Sequence, residues 1–191
     1  MDRLVEFLFE VGMLKRTPRS GWQFLGAGSE SVADHVFRAA MIAFVLARMD
    51  DGVDADHVLR LALVHDLPEA RTGDLNYVNQ KYVTPDEARA ADDLSAGLPF
   101  ADELRILLAE YRAEETAESI VAHDADQLEM LLELKEHIDR GVPGASDWTP
   151  FVLRRLRTET AQELARRIID GDSASWWFDR SSEWWVRGGK G

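Results

Sequence analysis

The sequence predicts an all-α fold, a compact helical bundle. Apolar residues recur at three- and four-residue spacing along most of its 191 residues, strand-like alternation is nearly absent, and caps and stops bracket each periodic run. With 46% hydrophobic residues the chain can bury a sizeable core, and it reads as one domain over residues 1–191, with the core at about 4–170 and a tryptophan-rich tail at 172–191.

Leu4, Phe7, Leu8 and Val11 form the stripe of a first helix ending near Gly12. Residues 16–28 contain Pro18, Gly21, Gly26 and Gly28 and read as a long loop, a type of segment that often carries function. Ser31 is the expected N-cap of a helix running to about Met49. That helix is apolar almost all round (Val32, Val36, Phe37, Ala40, Met41, Phe44, Val45), which predicts a central position. A third helix is expected from near Asp54 to His65-Asp66, followed by Pro68 and a turn at Thr72-Gly73-Asp74. Residues 81–97 read as a polar, mobile segment with a helix capped at Thr84-Pro85. Amphipathic helices follow over 99–113 and 114–140, the second stopped by Gly141, Pro143 and Gly144. A last helix, capped by Asp147 or Thr149, is expected to reach Ile169.

Composition narrows the function. Without cysteine, disulfides, thiolate metal sites and cysteine nucleophiles are excluded, so any metal must be held by nitrogen and oxygen. A formal charge of −13 disfavours a nucleic-acid polymer as partner. No signal peptide or membrane helix is recognisable, and a cytoplasmic location is expected.

The most informative feature is His65-Asp66, at the end of the apolar run Leu59-Arg60-Leu61-Ala62-Leu63-Val64. An imidazole and a carboxylate are costly to bury unless something binds them, and a divalent metal satisfies both. His35 and Asp126, on two other apolar helical segments, complete a candidate set of four ligands: His35, His65, Asp66 and Asp126. Two histidines and two aspartates leave coordination positions open for water and substrate. Asp124 and Asp126 lie two apart on one helix, so only one of them can face the site; Asp126 is followed by Leu128, Met130 and Leu131 in the apolar pattern, and His123 shares its side. His57 and His137, among charged residues, are expected to be solvated.

The pattern His35, His65-Asp66, Asp126 resembles the HD-domain metal-dependent phosphohydrolases, and more narrowly their 5′-deoxynucleotidase branch. The segments 14–22, Glu30-Ser31-Val32-Ala33-Asp34-His35, Leu61 to Asp74 and Ala125 to Met130 carry the likeness, which covers about residues 4–140. It implies a mononuclear site for Mn²⁺ or Co²⁺, with Fe²⁺, Ni²⁺, Zn²⁺ or Mg²⁺ as alternatives, and hydrolysis of nucleoside 5′-monophosphates by a homodimer. It also implies Glu69 and Asp74 as the acidic residues acting on water and leaving group, and Arg16 as the loop arginine on the substrate, with Arg19 as a further candidate. The family's bacterial enzyme has a Trp directly after that arginine that favours a 2′-deoxy sugar. Here that position is Thr17, and Trp22 is the aromatic candidate for substrate contact.

Two other readings fit the same fold. One is an HD-type hydrolase of another phosphorylated nucleotide or small phosphoester. The other is a non-catalytic, metal-stabilised nucleotide-binding domain. A dinuclear site needs extra histidines between His65-Asp66 and Asp126, where only His123 stands. The loop arginine, Glu69 and Asp74 argue for catalysis, since a purely structural site needs none of them.

Overall fold

A computed structural model describes residues 1–188. Helix α1 (Asp2–Val11) runs into a 3₁₀ turn (Gly12–Lys15), and a second 3₁₀ turn (Ser20–Leu25) lies in the loop before α2 (Val32–Met49). Helices α3 (Ala55–Val64), α4 (Glu69–Thr72), α5 (Glu87–Ser95), α6 (Ala101–Ala113) and α7 (Ala117–Asp139) follow, then α8 (Ala145–Leu153), α9 (Glu159–Asp170) and α10 (Trp184–Arg187). Among the described residues no strand forms, and one isolated bridge pairs Pro18 with Ser31.

Local chemistry sets most of the boundaries. Ser31 caps α2 in a reciprocal box, its hydroxyl accepting from the Asp34 N–H while the Asp34 carboxylate accepts from the Ser31 N–H. Asp54 caps α3, and Thr116 caps α7. The cap of α5 is Asp86, which accepts from the Arg89 N–H, rather than Thr84. Beyond α7, Gly141 takes a positive φ of 78° that continues no helix.

Helices α2, α3 and α7 pack on one another at the centre. Ala39, Ala43 and Ala47 of α2 are buried, small side chains that let the helix axes approach, while Leu46, Leu61, Leu128, Leu131 and Leu134 fill the space between them. A second apolar cluster joins α1, α5 and α6 around Leu94 and Leu104.

Three further expectations are corrected. Helix α2 is central on one side only: Phe37 (71% exposed), Met41, Phe44 and Val45 form an outward apolar stripe. The single helix expected from Asp147 or Thr149 to Ile169 is two helices, α8 and α9. Their break is held by Asp124, fully buried on α7, whose carboxylate accepts from the Arg157 N–H, the Thr158 N–H and the Thr158 hydroxyl at 2.6–2.8 Å. His137 is not solvated: it is 3% exposed and sits edge-on to Trp22. In the tail, Trp177, Phe178, Trp184 and Trp185 pack against one another, and the three tryptophans stay about half exposed.

Candidate metal centre

Three segments of the core deliver the four sequence-derived ligand candidates to one point. His35 comes from the second turn of α2, His65 and Asp66 from the turn that ends α3, and Asp126 from α7. His35 Nε2 lies 3.1 Å from Asp126 Oδ1 and 3.5 Å from Asp66 Oδ2, and His65 Nε2 lies 3.2 Å from Asp66 Oδ2. Ligand distances of about 2.1 Å give polyhedron edges of roughly 3.0–3.4 Å, so the spacing suits one small cation.

The tautomers suit it as well. His65 Nδ1 donates to the Ala62 carbonyl at 2.8 Å, and a carbonyl can only accept, so Nε2 is left with its lone pair. His35 Nδ1 donates to Glu129 Oε2 at 2.6 Å, which likewise leaves Nε2 free. Both Nε2 atoms and Asp66 Oδ2 are buried without a hydrogen-bond partner. Orphaned polar atoms are costly in a core, and a bound cation removes that cost. His35, His65 and Asp126 together can hold a metal ion.

The electrostatics call for positive charge. Burial and Arg19 push His35 down, but Asp126 and Glu129 prevail and hold it up at about 10, so without an ion Nε2 takes a proton that a cation would displace. His65 is raised by Asp66 against its own burial. Burial would raise Asp126, yet the two imidazoles and Arg19 hold it far below the usual carboxylate range.

Glu69 opens the short helix α4, and one of its buried carboxyl oxygens has no partner. Burial, then Asp66 and Asp74, push its pKa up to about 9, so it keeps its proton at neutral pH. Asp74 holds the loop: its carboxylate accepts from the Ser20 N–H at 2.8 Å and its carbonyl from the Ser20 hydroxyl at 2.7 Å. That loop brings Arg19 to 3.7 Å from Asp66 and 4.0 Å from Asp74. Arg16 is exposed and has no ion pair in the site.

Trp22 faces the core. It is 5% exposed, stacks on Trp148 at 5.8 Å and donates its Nε1–H to Glu30 at 2.7 Å. The substrate-contact expectation for Trp22 is corrected on that ground: its ring is enclosed by protein. His123 donates to the Tyr111 carbonyl at 2.7 Å and stacks on the Tyr111 ring, which keeps it out of the cluster.

Sequence reasoning missed Glu129, Arg38 and Glu30. Glu129 is fully buried; it accepts from His35 and from Arg38 Nε at 2.9 Å, and Arg38 also pairs with Glu133 and Glu136. The signal was present in the spacing. Glu129 lies three residues beyond Asp126 and Arg38 three beyond His35, the helical intervals that share a face.

The chain matches the HD domain family over residues 11–165. It is 37% identical over 142 residues, 71% of this chain and 69% of the relative, to the human protein named 5′-deoxynucleotidase HDDC2. A Schizosaccharomyces pombe protein named 5′-deoxynucleotidase hdd1 is 30% identical over 158 residues, 78% of either chain. Among solved structures, a conserved hypothetical protein from Pyrococcus furiosus superposes with a TM-score of 0.74 at 30% identity, covering 86% of this chain and 98% of its own. One from Magnetospirillum magnetotacticum, described as a predicted metal-dependent phosphohydrolase, gives 0.70 at 28% identity, covering 88% and 90%.

Proposed function

We propose, from the premise that this chain belongs to the HD domain family, that it is a metal-dependent phosphohydrolase that cleaves nucleoside 5′-monophosphates, 2′-deoxynucleotides foremost, to nucleoside and phosphate. The single observation that carries the reading is the convergence of His35, His65, Asp66 and Asp126, with unpartnered buried nitrogens, beside Arg19 and the buried carboxyl of Glu69. The names of the relatives support the substrate class.

His35, His65, Asp66 and Asp126 would hold one divalent ion, Mn²⁺ or Co²⁺ by preference. When bound, the ion supplies Lewis acidity and a water acidic enough to attack near neutral pH. The chain's own groups do the rest. The carboxylates of Asp66, Asp74 and Asp126 alone would repel a phosphate dianion, so Arg19, with its planar fork, orients the phosphate at the acidic wall. Asp74 fixes the loop that aims Arg19. Glu69 gives its proton to the departing 5′-oxygen. Arg16, exposed at the loop rim, is the outer candidate for a sugar or base contact.

The reading extends to a cytoplasmic homodimer made of one domain. The apolar stripe on α2 supports self-association. A cysteine-free chain acting on nucleotides suits a reducing interior. No helix among the described residues is long and apolar enough to cross a membrane.

The test is a phosphate-release screen over all nucleoside monophosphates with several divalent metals. Release from at least one deoxynucleotide is expected, with Asp66→Ala losing both metal and activity. Full activity of Asp66→Ala, or no release from any substrate, would overturn the reading.

A further inference from the structure

Behind His35, on the side away from Asp66 and Asp126, a chain of polar contacts leads into the protein. Glu129 takes the His35 Nδ1–H on one oxygen and Arg38 on the other. The Glu30 and Glu129 carboxyl groups come within 4.8 Å of each other, and Glu30 Oε2 accepts the Trp22 Nε1–H at 2.7 Å. Trp22 is clamped in turn by Trp148 and His137, and Gly28, at a φ of 94°, closes over both rings. A Cβ on Gly28 would stand 3.2 Å from His137 Nε2 and 3.3 Å from Trp22 Cβ, so the loop approaches only because no side chain is there. Glu30 also grips the arginine loop through its main chain: its carbonyl accepts the Arg19 N–H at 3.0 Å, next to the Val32 N–H to Thr17 carbonyl bond at 2.9 Å.

We propose that Glu30 is a positioning residue for cation binding, bracing Glu129 so that His35 Nε2 is held toward the ion, while its backbone fixes Arg19 to the same point. Two buried carboxyl groups this close favour a shared proton, and burial with Glu129 pushes Glu30 up to about 7. Without the Glu30 side chain, the Trp22 N–H is buried with no acceptor and Glu129 loses its lateral support. The residues that orient a ligating histidine tune metal affinity by about 10–100-fold. The shape of the brace predicts a distinctive substitution pattern. Gln can reproduce both bonds, its carbonyl accepting from Trp22 and its amide donating to Glu129. Asp keeps the acid but is one methylene too short to span the gap.

This inference rests on the metal-site reading above. The experiment is calorimetric titration of Mn²⁺ into the chelator-treated full chain, with the visible spectrum of Co²⁺ reporting ligand geometry. Glu30→Ala and Glu30→Asp should bind Mn²⁺ about 10–100-fold more weakly with an altered Co²⁺ spectrum, and Glu30→Gln should stay within about threefold of the unsubstituted protein. Wild-type affinity in Glu30→Asp, or an affinity in Glu30→Gln as poor as in Glu30→Asp, would overturn the proposal. If Glu30→Ala does not fold, the Gln and Asp pair decides. Trp22→Phe, which keeps an aromatic ring in the core but loses the N–H donor together with part of the indole, should weaken Mn²⁺ binding in the same direction, and unchanged affinity there also counts against the brace. Failure of the unsubstituted chain to bind Mn²⁺ would instead defeat the metal-site reading itself.

Discussion

Glu69 owes its proton to burial first and to Asp66 and Asp74 next, and this gives its proposed role a pH signature. A donor works in its acid form, below its pKa. Turnover should therefore fall as pH rises through the Glu69 value, which is about 9 when Asp66 carries its full charge. A cation on Asp66 weakens that push, so the alkaline limb of the loaded enzyme should lie below 9. Glu69→Gln should lower turnover about 10²–10⁴-fold, erase the limb and leave Mn²⁺ affinity close to normal; a pH–rate profile with unchanged turnover would reassign the proton transfer. Asp124 and Asp126 make a second residue-scale contrast. Asp126→Ala should abolish metal retention. Asp124→Ala should leave the metal in place but cost about 3 kcal/mol of stability, because three donors on Arg157 and Thr158 lose their acceptor. Denaturant melts and metal content of the two variants would separate the roles.

The elements divide by how local their causes are. The starts of α2 and α3 were legible because the cap, the first turn and the apolar period all lie within a few residues. The break between α8 and α9 was not, because the group that fixes it, Asp124, is 33 residues away in sequence from Arg157. The same distinction runs through the site. His35, His65-Asp66 and Asp126 announce themselves as polar groups on apolar helical faces. The arginine loop has no such period, and its register is set by Glu30, Ser20 and Asp74, so the place of Arg19 beside Asp66 emerges only in three dimensions. Trp22 and His137 were misjudged for a related cause. Their burial depends on the close passage of Gly28, a backbone event that composition does not report. Thr158→Ala should shorten or fray α9, with a loss of about 1 kcal/mol, and helix-resolved hydrogen exchange would detect it.

At the scale of the whole molecule, the outward stripe on α2 is a prediction about assembly. Phe37→Glu with Met41→Glu should leave the fold intact, because both side chains are exposed, and convert a dimer to monomers in light scattering. A parent chain that is already monomeric would remove the homodimer from the proposal. The three segments that meet at the metal centre have a further consequence, since α2, the end of α3 and α7 are far apart along the chain. An ion joining them is a removable cross-link that the unfolded polypeptide cannot hold. At a hundredfold excess over its dissociation constant it adds about 2.7 kcal/mol to the native state, or roughly 5–10 °C for a chain of this size. Heating this protein against a series of Mn²⁺ concentrations would thus turn its melting point into a gauge of occupancy, read with no nucleotide in the tube.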